Sequence, residues 1–494
     1  MRKVLFGILM LLPIFSFSQE ETYYAKEDGK KLDWAMYYIN EYYVDSVNSN
    51  ALVEAALKAV AAELDPYSVY QSAEELRKQK ENDEGTQFIG IGINLIIIDN
   101  FPHVTSIVKG SSAEAAMLEK GDVIIEINGQ SLERLPLYKI TEMLKGNPGT
   151  EVDLLLYRDD QLIPKKLSRA RVPLISVETS FMLTKDIGYI KMIKFTYKTI
   201  EEFTTAYKEL QQNGMDDLVL DMRSNNGGVF TSSIDLSSLF LKKGNLINYT
   251  DGVIADRKDH ICEADGDIQK GKIVILTNGY TASASEVFCG AIQDWDRALI
   301  LGAPTYGKGL IQQSYGFSDS SALRLTISKY FRPTGNAVQR QNNNTLVFPT
   351  EVIVGSESAS FLNDDNTAQT MSGRKIYSLG AGVVPDVFYP NHIAKSPSVP
   401  YKYIAEYFFD QKDDLSKDFG DLQALLTSDE IQTYINQKDA SIAGRDLAEV
   451  KGWLAALVFQ KDQYYETIAK EDRVIAEAIK RMNDGTFDRL GIRY

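Results

Sequence analysis

The 494-residue chain reads as a multidomain α/β protein: a β-rich unit with short helices sits ahead of the main α/β core, and helical segments flank both. Three observations predict this. From Val172 to Pro390, apolar runs of strand length alternate with helical stretches, the signature of an α/β core. From about Gly85 to Arg171 the runs are shorter, broken by glycines and by Asn128-Gly129, which favours strands and tight turns. Over 19–84 and 391–494 the chain keeps helical spacing or turns rich in Ala, Glu, Lys and Leu.

The bulk numbers set outer limits. A hydrophobic content of 44% and a charged content of 24% belong to globular protein, which excludes disordered and fibrous classes. A net charge of −15 argues against nucleic acid or an anionic membrane as partner, since both demand clustered Lys and Arg. Cys262 and Cys289 are too few for a disulfide scaffold, and neither sits in a catalytic motif.

The first 18 residues read as a signal peptide. Arg2 and Lys3 precede an apolar run from Val4 to Phe17, and Ser16-Phe17-Ser18 offers small residues for cleavage before Gln19. An uncleaved anchor helix is the alternative. With cleavage, the chain is expected to be exported, periplasmic or extracellular, without a stable membrane anchor. No cysteine follows the site to carry a lipid.

After it, Leu32 to Leu64 has helical spacing and stops at Leu64-Asp65-Pro66-Tyr67-Ser68, where Pro66 forbids continuation. Glu74 to Glu84 is charged and leads into the β-rich unit. There, Phe88 to Leu95 reads as one glycine-punctuated strand and Val104 to Val108 as another. Ser111 or Ser112 caps a short helix over Ala113 to Leu118. Gly121 to Gly129 is a strand ending in an Asn-Gly turn. A helix over Leu137 to Leu144 and a strand over Val152 to Tyr157 complete the unit.

In the core, strands are expected at Ile187 to Ile193, Leu218 to Met222, Ile273 to Thr277, Ala298 to Leu301 and Leu323 to Ile327. Helices are expected at Thr199 to Asn213, Ser233 to Leu241 and Ser285 to Asp296. Open α/β folds place functional residues at strand ends. Thr345 to Arg374 is polar and irregular, and reads as a surface excursion.

The chemistry concentrates after the Ile273 strand. Asn278-Gly279 breaks it and a helix begins near Ser283, so a serine is presented at a helix N-terminus, where free N–H groups suit a developing oxyanion. The chain holds three histidines, His103, His260 and His392, none in a catalytic setting. Another base is needed, and Lys308, between Gly307 and Gly309, is the candidate. It must lose its proton below its ordinary value, which burial or a nearby cation achieves. A lysine flanked by glycines is by itself most often a surface residue. Gln312, four residues on, would face the same side and orient it. Gly228, in Asp221-Met222-Arg223-Ser224-Asn225-Asn226-Gly227-Gly228, could add an oxyanion donor or form a plain turn. Asp294 lies about three helical turns, roughly 16 Å, from Ser283 and is assigned to the helix end or to Arg297.

These segments carry two resemblances. The β-rich unit, above all Gly-Asp-Val-Ile-Ile-Glu-Ile-Asn-Gly at 121–129, resembles a PDZ domain. That resemblance makes Phe88, Ile89, Gly90 and Ile91 a loop for a terminal carboxylate, with Ile91 and Ile93 near the side-chain pocket. A departure occurs at Ala116-Met117-Leu118, where the family commonly shows Ala-Gly-Leu. Taken together, the Asp65-Pro66-Tyr67-Ser68 turn, this unit, Asp221 to Gly228, Thr281 to Glu286, Gly302 to Gln312 and Gly382 to Val387 resemble the C-terminal processing (tail-specific) peptidases. The resemblance covers about Leu32 to Pro390. It implies a ClpP/crotonase-like peptidase core, a Ser283 nucleophile, Lys308 as general base and Gln312 as its partner. Oxyanion donors would be the N–H groups of Gly228 and Ala284. It implies no metal or nucleotide cofactor, and polypeptides with exposed C-terminal tails as substrates. A homo-oligomer is compatible with the chain but is not read from it. Two rivals remain: a catalytically inactive PDZ scaffold that only binds tails, and an ester or thioester hydrolase on a similar core.

Overall fold

The computed structural model describes residues 26–77, 87–253, 256–340, 367–377, 382–389, 461–470 and 472–494, with isolated positions between 404 and 458. The expected signal segment, most of the 345–374 excursion and most of 391–460 lie outside the described residues.

Helices α1 (Lys26–Tyr42) and α2 (Ser49–Ala62) open the chain. After them the Asp65 carboxylate accepts the N–H groups of Tyr67 and Ser68 and the Ser68 hydroxyl, closing the turn that Pro66 begins. The N-terminal segment, expected above to be helical over 19–84, also holds a strand. The chain leaves the turn as strand β1 (Val69–Gln71), whose β-branched and aromatic residues find a sheet edge in the core.

In the next unit the expected single strand over Phe88 to Leu95 is two. Strand β2 (Gln87–Gly90) pairs with β9 (Ala170–Pro173), and β3 (Ile93–Ile98) pairs with β4 (Phe101–Ile107). The break falls at Gly92, whose φ of +82° favours glycine and whose absent Cβ would sit 2.2 Å from that of Ser111. Ser111 caps the short α3 (Ser112–Ala115) by accepting the N–H of Glu114. Strand β5 (Val123–Ile127), β6 (Gln130–Ser131), helix α4 (Leu137–Leu144) and β7 (Glu151–Arg158) follow. A further strand, β8 (Gln161–Ser168), hairpins onto β7 through Asp159-Asp160, both at positive φ. The sheet order is β3-β4-β5-β7-β8, so β3 is a terminal strand.

The core holds strands β10 (Val177–Met182), β11 (Ile187–Met192), β12 (Asp217–Asp221), β13 (Leu246–Asp251), β14 (Lys258–Ile261), β15 (Ile273–Thr277), β16 (Leu299–Gly302), β17 (Leu310–Gly316) and β18 (Ala322–Phe331). Its helices are α5 (Thr199–Gln212), α6 (Phe230–Phe240) and α7 (Ala284–Asp294). A small hairpin, β19 (Thr367–Gln369) with β20 (Lys375–Tyr377), precedes β21 (Val387–Phe388). The main sheet runs β10-β11-β12-β15-β16-β21, parallel except for β10. Its strands are buried on both faces, as parallel sheets require. Leu218, Leu220, Ile273, Ile275 and Ile300 pack on the side of α5, α6 and α7. Val219, Val274, Leu276, Leu299 and Leu301 pack on the other.

That second face is covered from the C-terminus. After α8 (Lys461–Ala469), helices α9 (Arg473–Asn483) and α10 (Thr486–Leu490) lay Val474, Ile475, Ala478, Met482 and Phe487 against it. A second sheet forms around β18, with β17 along one edge and β1 and β13 sharing the other. The Leu323 to Ile327 strand thus belongs to this sheet and not to the parallel one.

Among the described residues, no helix is long and apolar enough to cross a membrane. Met117, where the family glycine is missing, stands at φ +55° and is exposed. Met117→Gly is expected to raise the stability of this β-rich unit by about 0.5–1 kcal/mol by relieving a left-handed side chain; chemical denaturation checks it.

Candidate active site

Strand β15 delivers the chain to Ser283 through a tightly tied turn. Asn278 Oδ1 accepts N–H groups from Tyr280 and, across the loop, from Ser224. The Thr281 hydroxyl donates to the Met222 carbonyl. Ser283 then takes φ +59° and ψ −119°, a conformation that a non-glycine residue holds only where its surroundings enforce it. It is the N-cap of α7 and half-buried, so its hydroxyl lies at the positive end of a helix.

What enforces the geometry is Glu286, fully buried one turn into α7. Its Oε2 accepts the N–H of Ser283 at 2.8 Å and of Lys308 at 2.9 Å, so these two nitrogens lie within 5.7 Å of each other. Its Oε1 accepts the Thr305 hydroxyl and the Gly307 N–H, both at 2.6 Å. Burial pushes the pKa of this carboxyl up, and the four donors pull against that. From the other side the buried Tyr330 hydroxyl reaches the carbonyls of Ser283, at 3.1 Å, and Lys308. Both backbones are therefore held at their N–H and at their C=O.

The Lys308 ammonium lies 5.1 Å from the centre of the Tyr67 ring, within cation–π range. Burial, and then the positive charge of Arg324 on β18, lower its pKa below the ordinary 10.5, while Glu286 opposes them. Among the described residues no hydrogen bond joins Ser283 Oγ to Lys308 Nζ. Among the described residues no hydrogen bond joins Gln312 to Lys308 either. Gln312 donates weakly to Thr326, its cross-strand neighbour, at 3.4 Å. The face argument fails because β17 starts only at Leu310 and its register shifts between Ile311 and Gln312.

Gly227 and Gly228 stand at φ +92° and +143°. A Cβ on Gly227 would lie 2.7 Å from the Ala282 carbonyl and 2.9 Å from Ala284 N, so only glycine lets the two loops meet. Asn225 ties them together: its carbonyl accepts the Ala282 N–H and the Ser285 hydroxyl, each at 3.0 Å. Among the described residues the N–H groups of Gly228 and Ala284 donate to no acceptor.

Three other expectations change. Asp294 pairs with Arg332 and accepts from Thr334, whereas Arg297 donates to the carbonyls of Ile268, Lys270 and Gly271. Phe88, Ile89 and Gly90 lie in β2, opposite Val172, Arg171 and Ala170, so the open turn is Ile91-Gly92. The Ile91 side chain is buried in the unit's own core instead of lining a pocket, and Ile93 is half-buried beside it. Glu286, Tyr330 and Tyr67 were missed as site residues. Only Glu286 carried a local signal, the Ser-x-x-Glu spacing of a capping box at 283–286.

Glu286→Ala strands four donors, three of them backbone N–H groups, and is expected to cost more than about 3 kcal/mol and to abolish any activity of Ser283. Glu286→Gln, which keeps one accepting oxygen, should fall between. Denaturation of the core and a cleavage assay on both variants check this.

Comparison with known proteins agrees with this layout. The profile of peptidase family S41 matches residues 186–346, and that of the PDZ domain matches residues 78–157. A probable CtpA-like serine protease of Staphylococcus epidermidis is 30% identical over 346 residues, 68% of this chain and 70% of its own length. A carboxy-terminal-processing protease of Bartonella bacilliformis is 32% identical over 307 residues, 60% of this chain and 69% of its own. A solved photosystem II D1 C-terminal processing protease, 23% identical, aligns over 73% of this chain and 87% of its own with a TM-score of 0.42. The chain therefore belongs to the S41 family of C-terminal processing peptidases, and is a serine peptidase with a PDZ domain.

Proposed function

We propose that the chain cleaves exported polypeptides near their C-termini with a Ser283–Lys308 dyad, after its PDZ unit has captured the substrate tail. The observation that carries this is the shared Glu286 oxygen. One buried carboxylate holds the backbones of the serine and the lysine together, at a helix N-terminus flanked by two unengaged N–H groups.

The chemistry is acyl transfer. Lys308, neutral, takes the proton of Ser283 Oγ as the oxygen attacks the scissile carbonyl. The resulting oxyanion rests on the N–H groups of Gly228 and Ala284. As the C–N bond breaks, the ammonium of Lys308 gives its proton to the leaving amine. Lys308 then activates a water that hydrolyses the acyl-serine and frees the enzyme. For the first step Nζ must leave the Tyr67 ring and reach Oγ, a side-chain rotation with both backbones already fixed.

Tail capture follows from the terminal position of β3, whose free edge can accept an extended peptide as an added strand. The Ile91-Gly92 turn at its start is the natural place for the terminal carboxylate. A parallel sheet with helices on both faces fits a ClpP/crotonase-like core. The basic and apolar residues over 2–17 support export, to the periplasm or beyond.

Ser283→Ala should abolish cleavage of an unstructured polypeptide with an apolar tail, and Lys308→Ala should lower kcat by about 10²–10⁴. Cutting retained by either variant would refute the dyad. Deleting 85–171 should spare short peptides and slow tailed polypeptides; equal rates would refute tail capture.

Because only neutral Lys308 works as base, kcat/KM should rise with pH through a midpoint below 10.5. Arg324→Gln removes the neighbouring positive charge and should move that midpoint upward. A pH-rate profile of both proteins reads this directly.

A further inference from the structure

A buried charge cluster behind the oxyanion turn reaches well outside the peptidase motifs. Asp221, at the end of β12, receives the Lys191 ammonium at 3.0 Å, the Tyr189 hydroxyl at 2.7 Å and the Arg223 guanidinium at 2.6 Å. Lys191 also donates to the Arg223 carbonyl at 2.6 Å, fixing the backbone where the turn begins. The second carboxylate on Arg223 is Asp472, at 2.8 Å, the N-cap of α9. Asp472 divides its oxygens: Oδ1 accepts the N–H groups of Val474 and Ile475, and Oδ2 faces Arg223.

Lys191 and Arg223 bring two positive charges and Asp221 one negative. Asp472 at Arg223 and, toward Lys191, Glu178 of β10 add to the negative charge of Asp221. The side chains of Lys191, Arg223, Asp221 and Asp472 are at most 17% exposed, so an unmatched charge is poorly screened. Burial works against the Arg223 charge, and Asp221 and then Asp472 outweigh it. Immediately after Arg223 the chain enters Ser224 at φ +62°, then Asn225 and Gly227, which abut the Ser283 turn, and Gly228.

We propose that Asp472 is a positioning residue for proteolysis: through Arg223 it holds the turn that aims the Gly228 N–H, so the C-terminal helix α9 completes an active site otherwise built from Tyr67 and the peptidase core. The inference rests on the reading of Ser283 and Gly228 given above. It assigns to the C-terminal segment, beyond the peptidase profile's match at residues 186–346, a part in the chemistry in addition to covering the sheet. A mere cap would fix α9 and leave turnover alone. A residue that sets the turn changes kcat, because the oxyanion forms only in the transition state.

The test uses the full-length chain and an unstructured polypeptide with an apolar tail, at a temperature where every variant is folded by circular dichroism. Cutting by the wild type that Ser283→Ala abolishes establishes the underlying reading, whatever Asp472 does; no cutting by the wild type removes both. Asp472→Asn keeps a good cap and removes only the charge. It is expected to lower kcat by roughly 10-fold, short of the 10²–10³ for loss of an oxyanion donor, with KM changed less than about twofold. Arg223→Gln should lower kcat comparably, and adding Asp472→Asn to it should change nothing further. A lower melting temperature with unchanged kcat makes Asp472 structural and overturns the inference. Losses that multiply in the double variant overturn it as well, because Asp472 would then act by another route.

Discussion

The candidate active site of this peptidase depends on one buried carboxylate. Glu286 is withdrawn from water at a cost of several kcal/mol, and only its four donors make that tolerable. Those donors come from two loops that share no secondary structure: the Ser283 turn and the Thr305 to Lys308 loop. Neither loop has an apolar core of its own, so the carboxylate does for them what side-chain packing does elsewhere. It also explains how Ser283 keeps a strained φ. The strain of order 1–3 kcal/mol is carried by an N–H that has nowhere better to point.

Around that contact the two sheets divide the work. The parallel sheet brings the ends of β12 and β15 side by side, which sets Gly227 against the Ser283 turn. The second sheet brings β17 and β18, and with them Lys308, the Tyr330 hydroxyl and the Arg324 charge. Ser283 and the unengaged N–H groups of Gly228 and Ala284 belong to one layer and the surroundings of Lys308 to the other. Glu286 and Tyr330 are where the layers are joined.

The legible parts of this arrangement were the local ones. Ser283 at a strand-to-helix turn, Lys308 between glycines and the Gly227-Gly228 pair declare themselves within a few residues. The parallel strands did so too, because burial on both faces leaves continuous apolar runs. Gln312 misled because a four-residue spacing holds only in regular structure, and a register shift intervenes at Ile311. Strand β8 was overlooked because Lys165 and Lys166 obscure its alternation, although Asp159-Asp160 marked the hairpin. Tyr67 and Tyr330 could not be read at all. Their roles arise from tertiary contacts, Tyr67 through a turn tied to β18 by Ser68 and Thr326 and Tyr330 through carbonyls of two separate loops, and no spacing in a single sequence encodes those.

The placement of β1 bears on the order in which the molecule can be finished. A chain made from its N-terminus presents Val69 to Gln71 long before β18 exists to pair with them. The outer face of the parallel sheet, with Val274 and Leu301, stays bare until residues 474–492 arrive to cover it. The last of these contacts is made by Arg493, whose N–H donates to the Asp296 carbonyl. A nascent chain therefore carries the candidate site's sequence segments before the sheet that positions them is covered on both faces.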